Sequence, residues 1–341
     1  MSPLKPFRKK LLCIISICSI GFSLIVAELS LRLLGFEVAR PSVNNFHLKN
    51  SRKGFFAADE LLGFTTKKNF EDSVILSPNL SFWTEHDSNG FRKEKAVVEN
   101  SVFRKSIWIL GCSFTYGWGV ENKHSFPFLL SEKLQDWEVK NWGIPAYSTL
   151  QSKILLENLF SKTDSFPEWV VLAYASFHDQ RNTGSPFWLQ AIQSQEMLEQ
   201  FQIPVIRRPG SGIQKVALEQ NNSWGTEVSA LANLWNQSRM KRRDESYSKE
   251  QIRNEILLEM AKKCEQNQVR FAVAILDSNS TSVSVKKYLS SNGIPAEFIS
   301  VNLNEPGMSL MPADPHPSIE AHQIFAKKLF NFLEREKIGG P

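Results

Sequence analysis

The predominantly apolar runs at 107–110, 169–174, 269–276 and 298–303 constrain the fold of this chain more than any other feature. Each has the length of one buried strand, and each is separated from the next by enough residues for a helix. The intervening stretches have helical character: 126–135 after Ser125, 150–159, 248–267, and 319–337 with Phe325, Leu329, Phe332 and Leu333 on one face. Residues 137–141 read as a weaker fifth strand. Strand and helix in alternation predict an α/β fold of three layers, α/β/α, around a parallel sheet. Ligands of such sheets sit in the crevice at the carboxyl ends of the strands.

What stands at those ends is chemically suggestive. Gly111-Cys112-Ser113-Phe114-Thr115-Tyr116-Gly117 follows the run 107–110, so a serine sits at a strand-to-helix turn. Gly111 permits a tight turn, and a helix starting at Ser113 would aim unpaired N–H groups at an oxyanion. A serine in a turn is by itself only a polar turn residue. Asp314-Pro315-His316-Pro317, just before the last helix, supplies a carboxylate and an imidazole, so the parts of an acyl-transfer triad are all present. Cys112 offers a rival nucleophile; its plain reading is a small buried turn residue.

At these blocks the chain resembles the SGNH/GDSL hydrolase superfamily, over most of residues 85–337. Gly111-Cys112-Ser113 matches the nucleophile block, and Asn141-Trp142-Gly143-Ile144-Pro145-Ala146-Tyr147 the block whose glycine N–H joins the oxyanion hole. Ser176-Phe177-His178-Asp179 stands where the family has Gly-x-Asn-Asp, and Asp314 with His316 matches the last block. Ser88-Asn89-Gly90-Phe91-Arg92 is similar to a lead-in of envelope-anchored members. The resemblance implies an SGNH/flavodoxin-like sheet, with Ser113 as nucleophile, His316 as base and Asp314 orienting it. The N–H groups of Ser113 and Gly143 would hold the oxyanion. His178 replaces the family's asparagine donor, and an imidazole donates only in the right tautomer or when protonated. Asn182 is the fallback donor. Trp118 and Trp142 adjoin the motif blocks and are expected to line the pocket. Arg181 is read as a substrate ligand or, equally, as a structural hydrogen-bond donor.

The N-terminus adds a membrane element. Lys5, Arg8, Lys9 and Lys10 precede the uncharged run Leu11 to Ala27, which spans roughly 25 Å as a helix and continues past Glu28 and Arg32. The positive-inside bias places the remainder outside the cytoplasm. Residues 1–36 are expected to be a signal anchor, with a cleaved signal peptide as the alternative. Residues 37–104 form an irregular lead-in with short strands, and 105–338 the hydrolase domain with an insertion at about 183–247. In that insertion Trp188, Trp224 and Trp235 are either a sugar or acyl platform or the insertion's own small core.

The 42% hydrophobic content supports a sizeable core, and the net charge of +5 is modest. Arg239-Met240-Lys241-Arg242-Arg243 is followed by Asp244 and Glu245, which reads as a solvated helix end, so nucleic acid is not implied. The four cysteines have neither disulfide nor zinc spacing, and no metal or organic cofactor is implied. The expected activity is a serine esterase or deacylase acting on an acylated glycan or lipid of the cell envelope. An O-acyltransferase and a non-catalytic glycan-binding protein on a degenerate fold are the rivals.

Overall fold

A computed structural model of the chain describes residues 4–39, 54–93, 105–193, 202–217 and 225–336. Two compact units emerge, Met1–Val43 with Gln220–Ser246, and Asn44–Glu219 with Tyr247–Pro341. The first unit begins with α1 (Leu4–Leu33), in which Arg8–Leu33 is long and apolar enough to cross a membrane.

The second unit opens with two antiparallel pairs, β1 (Phe56–Asp59) with β2 (Gly63–Thr66), and β3 (Glu71–Ser77) with β4 (Leu80–Glu85). Then β5 (Lys105–Gly111), α2 (Ser113–Tyr116), α3 (Phe126–Lys133), β6 (Trp137–Gly143), α4 (Thr149–Phe160), β7 (Trp169–Tyr174) and α5 (His178–Asn182) follow in turn. Helix α6 (Pro186–Gln193) and the antiparallel pair β8 (Gln202–Val205) and β9 (Gln214–Ala217) interrupt the alternation. Helix α7 (Ala230–Glu245) belongs to the first unit. The second unit resumes with α8 (Lys249–Gln266), β10 (Arg270–Ile275), α9 (Ser280–Ser291), β11 (Ala296–Phe298) and α10 (Ile319–Arg335).

The main sheet is parallel in the order β6-β5-β7-β10-β11. Its residues alternate between two cores. Trp108, Leu110, Val170, Leu172, Val273 and Ile275 face the layer of α4, α8 and α9, whereas Ile107, Ile109, Val171, Ala173, Ala272 and Ala274 face α3 and α10. Burial on both faces explains why β7 reads as an unbroken apolar run, with all six residues buried. On α10 the buried face is Ala321, Phe325, Leu329, Phe332 and Leu333, each large side chain contributing about 1.5–3 kcal/mol. Because the chain leaves β5 to one side for β6 and returns to the other for β7, the crevice of the sheet opens at the carboxyl ends of β5 and β7.

Two local expectations change. The last strand is 296–298 rather than 298–303: Ile299 makes one further bond to Ile275 O at 2.9 Å, after which Val301 and Leu303 pack on the core beside α10 as extended chain without a ladder. Residues 280–291, left unassigned by apolar pattern, form α9 behind an Asn279 cap that accepts from the Ser282 N–H.

Candidate active site

Gly111 ends β5, and Cys112, in extended conformation, turns the chain so that Ser113 becomes the first residue of α2. The turn closes through Tyr116 N–H to Cys112 O (2.9 Å) and Gly117 N–H to Ser113 O (3.0 Å); Gly117 ends it at φ 83, a left-handed geometry that disfavours a Cβ. The loop before α10 brings the other two groups, Asp314 and His316, from the far end of the chain to the same point, His316 being 203 residues from Ser113. Ser113 Oγ lies 2.9 Å from His316 Nε2, and His316 Nδ1 lies 2.5 Å from Asp314 Oδ1. The same Asp314 oxygen accepts the His316 backbone N–H at 2.8 Å, which fits the two-residue spacing to a triad geometry. Burial alone would raise the Asp314 carboxyl. The hydrogen bonds from the His316 ring and backbone and from Trp118 outweigh it and hold the carboxyl below its ordinary value. An ionised Asp314 keeps the proton on Nδ1 and turns the Nε2 lone pair toward the serine.

The lead-in holds this helix from behind. Arg92 is fully buried, and its guanidinium donates to Tyr116 O and Gly117 O (2.6 Å each), to Asn122 Oδ1 (2.6 Å) and to Val120 O, while lying 4.6 Å over the Tyr116 ring. It satisfies the carbonyls at the end of α2, and burial pushes it down to about 10, so it remains a cation at neutral pH. Tyr116 Oη is held in turn by Thr84 Oγ1 (2.7 Å) and His86 Nε2 (2.9 Å). One ammonium cannot reach four acceptors arranged for a planar fork. Arg92→Lys is therefore expected to lower stability by about 2–4 kcal/mol, seen as a lower urea midpoint at unchanged slope. An unchanged midpoint would mean that the carbonyls find other donors.

The remaining expected site residues are placed as follows. Gly143 donates its N–H to Asn141 Oδ1 at 3.0 Å. Its lack of a side chain serves packing, because a Cβ there would run into the Tyr116 amide and lie 2.8 Å from Thr115, on α2 itself. Ala146, three residues on, sits at φ 67, and its N–H meets no partner among the described residues. A non-glycine residue in this region stores strain of a kind found at functional sites, a signal the sequence does not display.

His178 is fully buried. The Ala175 N–H points to its Nδ1 at 3.5 Å, with Thr149 Oγ1 at 3.4 Å, and its Nε2 has no partner among the described residues. Burial first and Arg181 second keep the ring well below its ordinary value, so it is neutral, and with Nδ1 accepting, the proton belongs on Nε2. Asn182, also fully buried, accepts the Leu150 N–H at 2.9 Å, and its Nδ2 has no partner among the described residues.

Arg181 donates to Tyr147 O at 2.8 Å and stacks 4.4 Å over Phe177. The two tryptophans take different places. Trp118 is fully buried, its indole on Asp314 and its ring 6.2 Å from that of His316. Trp142 projects to the opposite side of the β6 pleat from Gly143. It packs on Phe91 at 4.3 Å and lines a cavity of ≈ 740 Å³ that includes none of the triad. Of the insertion's tryptophans, Trp188 is buried and Trp235 is 60% exposed; Trp224 lies outside the described residues.

No family model and no curated protein matches the chain. Among solved structures it is similar to a member of the lipolytic protein G-D-S-L family from Veillonella parvula (TM-score 0.41, 11% identity, covering 68% of this chain and 100% of that one). It is also similar to a GDSL-like lipase from Bacteroides thetaiotaomicron (TM-score 0.38, 14% identity, 70% and 91% covered). A family two carbohydrate esterase from Clostridium thermocellum, solved in complex with cellohexaose, gives a TM-score of 0.35 at 10% identity, with 69% and 65% covered. These likenesses are low in identity and in overlap; the fold class itself follows from the strand order given above.

Proposed function

We propose that the protein is a membrane-anchored, extracytoplasmic serine esterase of the SGNH type that works through an acyl-serine intermediate. The observation that carries this reading is the continuous relay Ser113 Oγ, His316 Nε2, His316 Nδ1, Asp314 Oδ1, at 2.9 and 2.5 Å. Ser113 attacks the ester carbonyl while His316 Nε2 takes its proton, and Asp314 stabilises the imidazolium that forms. The same proton then goes to the leaving alcohol. Water, deprotonated by His316, then attacks the acyl carbon; the bond from that carbon to Ser113 Oγ breaks, and His316 returns the proton to Oγ as the acid leaves. The oxyanion donors in this scheme are the Ser113 N–H at the start of α2, the His178 Nε2–H, and the Ala146 N–H in place of Gly143. Trp118 and Arg92 act as positioning residues, one on Asp314 and the other on α2.

An acylated glycan or lipid of the envelope is the substrate class that fits an anchored enzyme outside the cytoplasm. A second reading, O-acyl transfer to a sugar hydroxyl, is favoured by the low exposure of Ser113, 2%, since a site poor in water protects an acyl-serine for another acceptor. Fluorophosphonate labelling of the full chain in detergent tests the nucleophile. Product analysis with an acetyl ester, with and without oligosaccharide acceptors, then separates hydrolysis from transfer. Absence of labelling, with the fold intact by circular dichroism, would favour the non-catalytic glycan-binding alternative.

A further inference from the structure

Helix α7 buries two asparagines and exposes a tryptophan among Gln237, Ser238 and a run of basic side chains. Its buried residues are Ala230, Asn233 and Asn236. Trp235 and Arg242, at spacings that share one face, are exposed with Arg239 beside them, and Leu231 on the same face is half-buried. Trp235 is 60% exposed, and Val228, just before the helix, is 74% exposed. Arg239 lies 5.3 Å over the Trp235 ring, and Arg242 has no acidic partner among the described residues, whereas Lys241 is 3.8 Å from Glu245. A face that combines an exposed valine, a half-buried leucine, an exposed tryptophan and arginines matches the boundary between acyl chains and headgroups.

The position of this face along α1 tells which boundary. Glu28 is the first charged residue after the run Leu11 to Ala27. Its carboxylate accepts from Ser229 Oγ (2.8 Å), Ala230 N–H (2.9 Å) and Leu231 N–H (3.0 Å), and it pairs with Arg32 at 2.7 Å; Arg32 also donates to Val228 O at 2.7 Å. The start of α7 is thus tied to the residue at which α1 stops being apolar. An uncharged run of that length has its end at the edge of the hydrocarbon layer.

We propose that α7 is an interfacial helix that beds Val228, Leu231 and Trp235 in the surface of the bilayer entered by α1 and sets Arg239 and Arg242 on acidic phospholipid headgroups. The inference rests on α1 crossing that bilayer and is independent of the ester chemistry. It gives Arg239 and Arg242 of the basic cluster an anionic partner. Each basic side chain near an acidic surface shifts the bound fraction by about fivefold, so the lipid charge is measurable.

The test uses the full chain in vesicles of phosphatidylcholine, with or without phosphatidylglycerol, in a Cys13→Ser, Cys18→Ser background. A polarity-sensitive maleimide label is placed through Trp235→Cys on α7 or through Ser19→Cys in the middle of α1, and quenching by brominated lipids is read for each. The expected result is a deep Ser19 label, and a Trp235 label quenched at shallow depth when phosphatidylglycerol is present. Arg239→Glu with Arg242→Glu should move the Trp235 label into water by a factor of about ten or more. A water-exposed Trp235 label beside a deep Ser19 label would overturn the inference and leave the anchor standing. Equal insertion with and without phosphatidylglycerol would overturn the headgroup pairing. Both labels in water would remove the anchor and the inference together.

Discussion

Alanine in place of Ser113 is expected to abolish ester turnover and fluorophosphonate labelling together, while the protein stays folded. The hydroxyl is the only atom lost, and the triad acts as a unit, so the fall in kcat should be about 10⁴–10⁶-fold. Stability should move by no more than about 1 kcal/mol, since the cavity left is smaller than a methyl group. Cys112→Ala should retain both activities, because the cysteine is buried in the core beside α10 while His316 faces the serine. Equal labelling of wild type and Ser113→Ala would end the serine-hydrolase reading.

A second large effect should appear in stability rather than in rate. His86, His178 and His322 are buried and neutral: burial pushes His86 down to about 4 and His322 to about 3, and keeps His178 well below its ordinary value. Each ring makes a bond that needs a neutral acceptor or a fixed tautomer; His322 Nδ1, for instance, accepts the Phe126 N–H at 3.2 Å. In the unfolded chain all three titrate near 6.5. Between about pH 6.5 and pH 4 the unfolded state therefore binds more protons than the native state, and stability falls as the pH falls. With three groups the slope approaches ~4 kcal/mol per pH unit, and the accumulated loss near pH 5 is about 6 kcal/mol, comparable to a whole domain's stability. Asp314, held below its ordinary value, loses its contribution only at lower pH, outside this window. Urea midpoints at pH 7, 6 and 5 would measure the slope, and His322→Gln, which keeps an acceptor for Phe126, should flatten it by about a third. Identical midpoints at pH 5 and pH 7 would refute the account.

The main sheet was legible because its strands are buried on both faces, so burial alone writes them as apolar runs. Helix α9 was not, because Ser280-Thr281-Ser282-Val283-Ser284-Val285 has poor helix formers and is held by its Asn279 cap and by packing of Val285 and Leu289. The strand expected at 298–303 shows the same limit from the other side: alternation there reports packing against α10 without reporting a ladder partner. Within the site, Ser113, Asp314 and His316 could be read from local spacing, each standing at the end of a recognisable element. The places of Arg92, Trp118 and Gly143 could not. Each depends on a contact with another segment: Arg92 with carbonyls 24 and more residues away, Trp118 with Asp314, Gly143 with the backbone of α2.

The two hairpins before the sheet look dispensable in outline, since every triad residue lies after residue 105. Yet Phe55 and Phe82 pack edge-on against Trp118, Thr84 and His86 hold the Tyr116 hydroxyl, and Arg92 closes the end of α2. The boundary of the unit that holds the triad therefore differs from the boundary of its α/β layers. A fragment trimmed to start at β5 would keep all three triad residues and lose the wall against which two of them are set, so the shortest useful fragment begins ahead of Phe55.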